Sequence, residues 1–258
     1  MAGLAGAVRK VRWSLAQRGL AGTLRMAFGR LGRRRSEAER THPFDAEHGV
    51  ETSGLIGGAD LATGHAHDVY NTAYYGMSPS RFKGAMELWE GLPPNAPVES
   101  YTFVDLGCGK GRAVLMATQG RFREVVGVEL NPELARVAEA NLQRWRGDGK
   151  AKVAGRILCG EATAFEFPEG PCLLYLFNPF AEPVMERLLD RIETSFRDRG
   201  GMLDVVYFNP EAAEAIEDRA GFARLWSGTI PMSAEDAAAD LVASPDDLCN
   251  VYRWMGRS

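Results

Sequence analysis

Residues 101–131 constrain this chain more than any other stretch. They open with Tyr101-Thr102-Phe103-Val104, an apolar run that predicts a buried strand. Asp105 follows, and then come glycines at alternate positions, Gly107, Gly109 and Gly111. Ala113, Val114, Leu115, Met116 and Ala117 predict a helix that begins near Lys110. A second apolar run, Val125-Val126-Gly127-Val128, ends in Glu129, 22 positions after Gly107. The order is strand, glycine turn, helix, strand, carboxylate. Glycine lets the backbone turn at positive φ and approach a ligand with no Cβ in the way. A helix that starts straight after such a turn points unpaired N–H groups at that ligand. An acid at the end of the second strand can accept hydrogen bonds from both hydroxyls of a ribose. The unit is therefore expected to hold a ribose-bearing molecule.

Glycine spacing narrows the choice. Dinucleotide folds favour G-x-G-x-x-G, whereas this chain has G-x-G-x-G with an acid two positions ahead of it. No Gly-Lys-Ser/Thr follows, which argues against a P-loop. The stretch Val104-Asp105-Leu106-Gly107-Cys108-Gly109-Lys110-Gly111 resembles motif I of class I S-adenosylmethionine (SAM)-dependent methyltransferases. The resemblance implies an α/β fold: a doubly wound, Rossmann-like sheet of seven mostly parallel strands with helices on both faces. It implies SAM as the cofactor, its methionine end beside the glycine turn and its ribose on the acid that ends strand two. Carried over, Asp105, Gly107, Cys108, Gly109, Gly111, Glu129 and Leu130 line the cofactor. A third strand candidate, Val153 to Cys159, leads into Gly160-Glu161-Ala162. In the family an acid there meets the adenine amino group and the next residue gives its N–H to the ring. Glu161 and Ala162 take those places, although the family more often has Asp at the first.

The run Pro171-Cys172-Leu173-Leu174-Tyr175-Leu176-Phe177 predicts a central strand buried on both faces. It ends in Asn178-Pro179-Phe180, and ligands of open α/β sheets bind beyond the carboxyl ends of the strands. The position resembles motif IV of the same family. Members that methylate DNA bases or glutamine carry Asn/Asp-Pro-Pro-Tyr/Phe there, and the second proline is missing here. Asn178-Pro179-Phe180 is closer to some protein-lysine methyltransferases. The segment Tyr75-x-x-Ser78-Pro79 loosely resembles a Tyr-x-Pro-Thr-Pro segment of such enzymes, which reaches over the methionine end of the cofactor. The resemblance thus makes Asn178, Pro179, Phe180 and Tyr75 the candidate catalytic residues, with Asn178 also against the cofactor. Plainer readings stand beside these: Asn178 as a helix cap, and the tyrosines as core aromatics with wet hydroxyls. The expected reaction is methyl transfer to a protein lysine or another amine nitrogen. A small-molecule O- or N-methyltransferase is the alternative acceptor reading. A non-catalytic SAM-binding module and an NAD(P)-dependent oxidoreductase are the alternatives of other classes.

The remainder of the chain fits one large domain with an appendage at its N-terminal side. Residues 1–40 carry ten Lys/Arg and two Glu, a balance of +8 within a net charge of −4, so residues 41–258 stand at −12. That acidic body argues against nucleic acid as a partner. Val8, Val11, Leu15, Leu20, Leu24, Phe28 and Leu31 recur between the arginines. They predict a basic helical arm that packs on the domain, or that meets an anionic membrane surface or a partner. Residues 41–97 are expected to be a pre-core segment. Within it, residues 41–80 lack periodicity, are expected to be irregular, and read as a lid over the cofactor. A helix follows from Ser78-Pro79 through Trp89. Residues 98–258 are the expected methyltransferase domain. They should hold a helix opened by Asn131-Pro132, another over Glu182–Arg197, and a fifth strand from Met202 to Phe208. A short helix over Glu211–Ala220 and a closing strand pair, 222–226 and 250–255, joined by an acidic loop Glu235–Asp247, complete the order.

The four cysteines, Cys108, Cys159, Cys172 and Cys249, form no C-x-x-C pair, which fits free thiols in a reducing, cytoplasmic setting. His65-x-His67 has no further Cys or His cluster to complete a metal site, so none is expected. No apolar run reaches the length of a transmembrane helix, and no secretory signal is read at the N-terminus.

Overall fold

The computed structural model of the protein describes residues 41–256, apart from 66, 67, 71 and 241–246. The basic arm and His67 therefore lie outside the described residues. Seven strands form one sheet in the order β3-β2-β1-β4-β5-β7-β6. They are β1 (Thr102–Leu106), β2 (Glu124–Glu129), β3 (Gly155–Cys159), β4 (Cys172–Phe177), β5 (Leu203–Phe208), β6 (Phe222–Thr229) and β7 (Leu248–Trp254). The first five pair in parallel, and β7 runs antiparallel to both β5 and β6. This is the doubly wound, mostly parallel, Rossmann-like sheet that the sequence predicts.

Both faces of the sheet are covered, which is why its central strands read as unbroken apolar runs. Side chains alternate between the faces along each strand. Val104, Leu106, Leu174, Leu176, Val205 and Tyr207 belong to one core layer. Phe103, Leu173, Tyr175, Val206 and Phe208 belong to the other. Strand order reverses between β1 and β4, and this opens a crevice at their carboxyl ends.

Among the described residues the helices are α1 (Pro43–His48), α2 (Pro79–Gly91), α3 (Arg112–Ala117), α4 (Pro132–Gly147), α5 (Glu182–Ser195), α6 (Ala213–Glu217) and α7 (Ala234–Ala239). Asn131 caps α4: its side chain accepts hydrogen bonds from the N–H groups of Glu133 and Leu134, and Pro132 sits in the first turn. The spacing of Leu134, Val137, Ala138, Asn141, Leu142 and Trp145 predicts the buried face of α4; all of these are buried except Val137, which is half-buried at its edge. Among the described residues no helix is long and apolar enough to cross a membrane.

Three local expectations are corrected. Residues 41–80 are not structureless: they contain α1, two short 3-10 turns (Gly58–Leu61 and Asp68–Tyr70) and an antiparallel bridge between Ile56 and Tyr74. This order comes from side chains of the core, and local periodicity cannot report it. Glu51 N–H donates to Asn141 Oδ1 at 2.8 Å, and Asn141 Nδ2 donates to the Glu51 carbonyl at 2.9 Å. The helix after the glycine turn starts at Arg112, because Gly111 is still left-handed at φ +87° and serves as its N-cap. The acidic loop after β6 holds α7, where the Ser233 hydroxyl accepts from the Asp236 N–H.

Candidate active site

The crevice between β1 and β4 holds a cavity of about 110 Å³. Its floor is the glycine turn. Gly107 (φ +81°) and Gly109 (φ +55°) are both left-handed, and both touch neighbours that leave no room for a Cβ. A Cβ on Gly107 would lie 2.5 Å from the Pro179 Cβ, and one on Gly109 would lie 2.2 Å from the Tyr74 ring. Gly111 does not line the cavity; it lets α3 pass α4, where its Cβ would stand 3.2 Å from that of Ala138.

Glu129 closes the turn from the neighbouring strand. One of its carboxylate oxygens accepts from the Gly109 N–H at 2.8 Å, and the other accepts from the Asn131 N–H at 2.8 Å. Burial raises its carboxyl, and the backbone N–H groups of Asn131, Gly109 and Leu130 act in the opposite direction. Each bonded oxygen keeps a second acceptor site, so the carboxylate can still take hydroxyl donors. Glu161 and Ala162 lie at the end of β3 and also line the cavity, as do Cys108 and Leu130. Glu161 accepts from the Thr163 hydroxyl and has His65 Nε2 at 3.9 Å.

Asp105 sits under the turn and is almost fully buried. Burial pushes its carboxyl up to about 8, and the charge of Glu129 adds to the effect. The folded protein thus holds this proton more tightly than the unfolded chain, where the ordinary value is 3.8. The associated stability is complete below that value and is lost as pH rises through about 8. The melting temperature of the unliganded protein is expected to fall between about pH 5 and pH 8.5, and Asp105→Asn is expected to remove most of that slope. An unchanged slope in the variant would place the titration elsewhere.

The opposite wall comes from β4 and from the pre-core segment. Phe177, Pro179 and Phe180 line the cavity, and so do Thr72, Tyr74, Tyr75 and Met77. Tyr75 packs edge-on against Phe177 with ring centroids 4.8 Å apart, and its hydroxyl accepts from Asn209 Nδ2 at 3.1 Å. Tyr74 covers Gly109, and its hydroxyl donates to the Thr52 carbonyl at 2.6 Å. Asn178 is left-handed at φ +42° and does not cap α5, whose N-cap is Ala181. Its carbonyl accepts from the Thr72 hydroxyl at 2.5 Å, while its side-chain Oδ1 is buried with no hydrogen-bond partner. Asn178 stands at the edge of the cavity and is not among the residues that line it.

The structure therefore brings Asp105, Gly107, Cys108, Gly109, Glu129, Leu130, Glu161, Ala162, Pro179, Phe180 and Tyr75 around one cavity. Leu61, Arg112 and Tyr175 join them without having been read from the sequence. Among the described residues no group of three His, Cys, Asp or Glu side chains is placed to hold a metal ion.

The strand order and the crevice at its reversal define a doubly wound, Rossmann-like fold. Residues 104–203, from β1 to the start of β5, match the family described as a methyltransferase domain. Over 80 residues the chain is 39% identical to the mouse adenine nucleotide translocase lysine N-methyltransferase, a match that covers 31% of this chain and 31% of that relative. The chain thus matches under a third of that relative's length. Solved structures that resemble it include the N-methyltransferase NodS from Bradyrhizobium japonicum in complex with S-adenosylhomocysteine (SAH), at 10% identity, TM-score 0.46, 69% of this chain and 86% of that one. A SAM-dependent methyltransferase from Clostridium acetobutylicum aligns at 10% identity, TM-score 0.46, 70% of this chain and 93% of that one.

Proposed function

We propose that this protein is a SAM-dependent methyltransferase whose acceptor is an amine nitrogen, on a protein lysine or another amine. The observation that carries the reading is the cradle made by Gly107, Gly109 and Glu129. Two left-handed glycines bring backbone to the cavity wall, and a carboxylate held by two N–H groups stands 2.8 Å from the turn. A nucleoside with an amino-acid tail fits this donor set. Glu129 would take the ribose hydroxyls, Glu161 and Ala162 the adenine, and Asp105 with the glycine turn the methionine end. SAM, when bound, supplies a methyl group already activated on a sulfonium.

The protein's own task is then to position and dry the acceptor. Phe177, Phe180 and Tyr75 give an aromatic wall at that end of the cavity. Asn178 Oδ1 is a buried acceptor with no partner in the fold, and an amine N–H would satisfy it. An amine has to arrive neutral, and desolvation among these rings lowers its proton affinity. The mouse relative is named as a lysine N-methyltransferase, which agrees with an amine acceptor.

Two variants separate the roles. Glu129→Ala is expected to lose SAH binding in calorimetry, by about 100-fold or more, because two charge-assisted bonds go with it. Asn178→Ala is expected to bind SAH like the wild type while losing methyl transfer from radiolabelled SAM to lysine peptides or small amines. Full turnover by Asn178→Ala on the true acceptor would refute its role. NAD(P) binding with no SAH binding would refute the cofactor.

A further inference from the structure

Tyr175 is an aromatic residue in the middle of β4 and only 1% exposed. Most of its ring is ordinary core: it packs on Phe82 and Phe103 with centroids 5.6 Å away in both cases. Its hydroxyl is not ordinary. The oxygen is buried and has no hydrogen-bond partner in the protein. A buried phenol without a partner is costly, and native structures rarely keep one without a reason.

The surroundings supply a reason. Register pairs Tyr175 with Asp105 across β1 and β4, so both side chains emerge from the same face of adjacent strands. Both residues line the cavity, next to Gly107 and Gly109. Asp105 is itself buried. Arg81, a cation whose charge reaches the Tyr175 hydroxyl, is committed to Asp247 at 3.2 Å and to the Ile230 carbonyl at 3.2 Å. The Tyr175 hydroxyl can accept as well as donate, and no hydrogen bond joins it to Asp105. The Asp105 carboxyl keeps its proton in the unliganded protein, and a cation at its side favours the carboxylate. The group that satisfies both at once is a cationic N–H donor.

We infer that Tyr175 is a further ligand-binding residue of this site, its hydroxyl and the Asp105 carboxylate together receiving the ammonium group at the amino-acid end of a nucleoside ligand. The inference rests on the SAM reading given above and adds a residue that recognises the amino acid rather than the nucleoside. It also explains why a tyrosine stands where phenylalanine would fill the core equally well.

The test is calorimetry of the full chain with two probes, SAH and the analogue that lacks only the α-amino group. The wild type is expected to prefer SAH. Tyr175→Phe is expected to weaken SAH by about tenfold and leave the analogue unchanged, as for one lost hydrogen bond to a charged group. The melting temperature of unliganded Tyr175→Phe should equal or exceed that of the wild type, because the change removes an unsatisfied buried atom. If SAH binds and the variant weakens neither probe, or both equally, the inference falls and the SAM reading stands. If Tyr175→Phe melts lower or fails to fold, the hydroxyl is bonded within the protein and the inference falls again. If the wild type binds neither probe, the SAM reading itself has failed and the inference goes with it.

Discussion

Gly109→Val is expected to abolish measurable SAH binding, with a loss of at least about 100-fold in affinity, and to lower the melting temperature. Two independent costs combine. Gly109 holds φ +55°, a left-handed backbone that costs an ordinary L-residue roughly 1–2 kcal/mol and a β-branched one more. A Cβ there would also lie 2.2 and 2.4 Å from two atoms of the Tyr74 ring. The ring cannot simply turn away. Its hydroxyl donates to the Thr52 carbonyl at 2.6 Å, and leaving would strand a buried acceptor. If the backbone moves instead, the Gly109 N–H leaves Glu129, and the carboxylate proposed to hold the ribose loses its orientation. Gly147→Ala is the control: its Cβ would meet nothing within 4 Å, so binding should not change. Calorimetry and thermal melts of both variants decide the matter, and wild-type affinity in Gly109→Val would remove the glycine turn from the site.

The difference between what the sequence discloses and what it hides follows from the range of the interactions. β1, the turn and β2 are legible because apolar runs, glycines and Glu129 all lie within 30 residues and act through the local backbone. The ring of elements around them is legible for the same reason, down to the Asn131 cap. Arg112 is not. It opens a helix and looks solvated, yet it is 4% exposed because Thr52, 60 residues earlier, and Met77 surround it. Tyr175 sits inside an apolar run, so only the three-dimensional environment of its hydroxyl sets it apart from a core aromatic. Gly111 shares the spacing of the other two glycines but serves the contact with Ala138 and not the cavity. Residues 41–57 show no periodicity because their partners, Arg112, Lys110 and Asn141, belong to distant helices and the glycine turn.

The same long-range contacts set the second large effect. Asp45→Leu is expected to cost roughly 3–5 kcal/mol, the usual penalty for leaving one member of a buried ion pair alone. Asp45 lies 3.6 Å from Arg112, and both are nearly fully buried. Asp45 also accepts from the N–H groups of Thr52 and Ser53, each at 2.6 Å. Arg112 in turn donates to the Thr52 hydroxyl at 2.6 Å and to the Met77 carbonyl at 3.3 Å. The guanidinium passes so close to Gly76 that a Cβ there would stand 2.7 Å from its Cζ. The ion pair and the hydrogen bonds around it thus fasten Asp45, Thr52 and Met77 to the start of α3, directly beside the glycine turn. Losing the pair should free the wall that carries Tyr74, Tyr75 and Met77, and SAH affinity should fall along with stability. Hydrogen exchange at Ile56 and Tyr74, whose amides bond to each other's carbonyls at 3.0 and 2.9 Å, should accelerate more than exchange in β1 and β4. Arg112→Leu in the Asp45→Leu background should cost much less than Arg112→Leu alone, because the second change removes the stranded cation. If the two losses add, the residues act separately, and the segment is held to the turn by Lys110 and Asn141 instead.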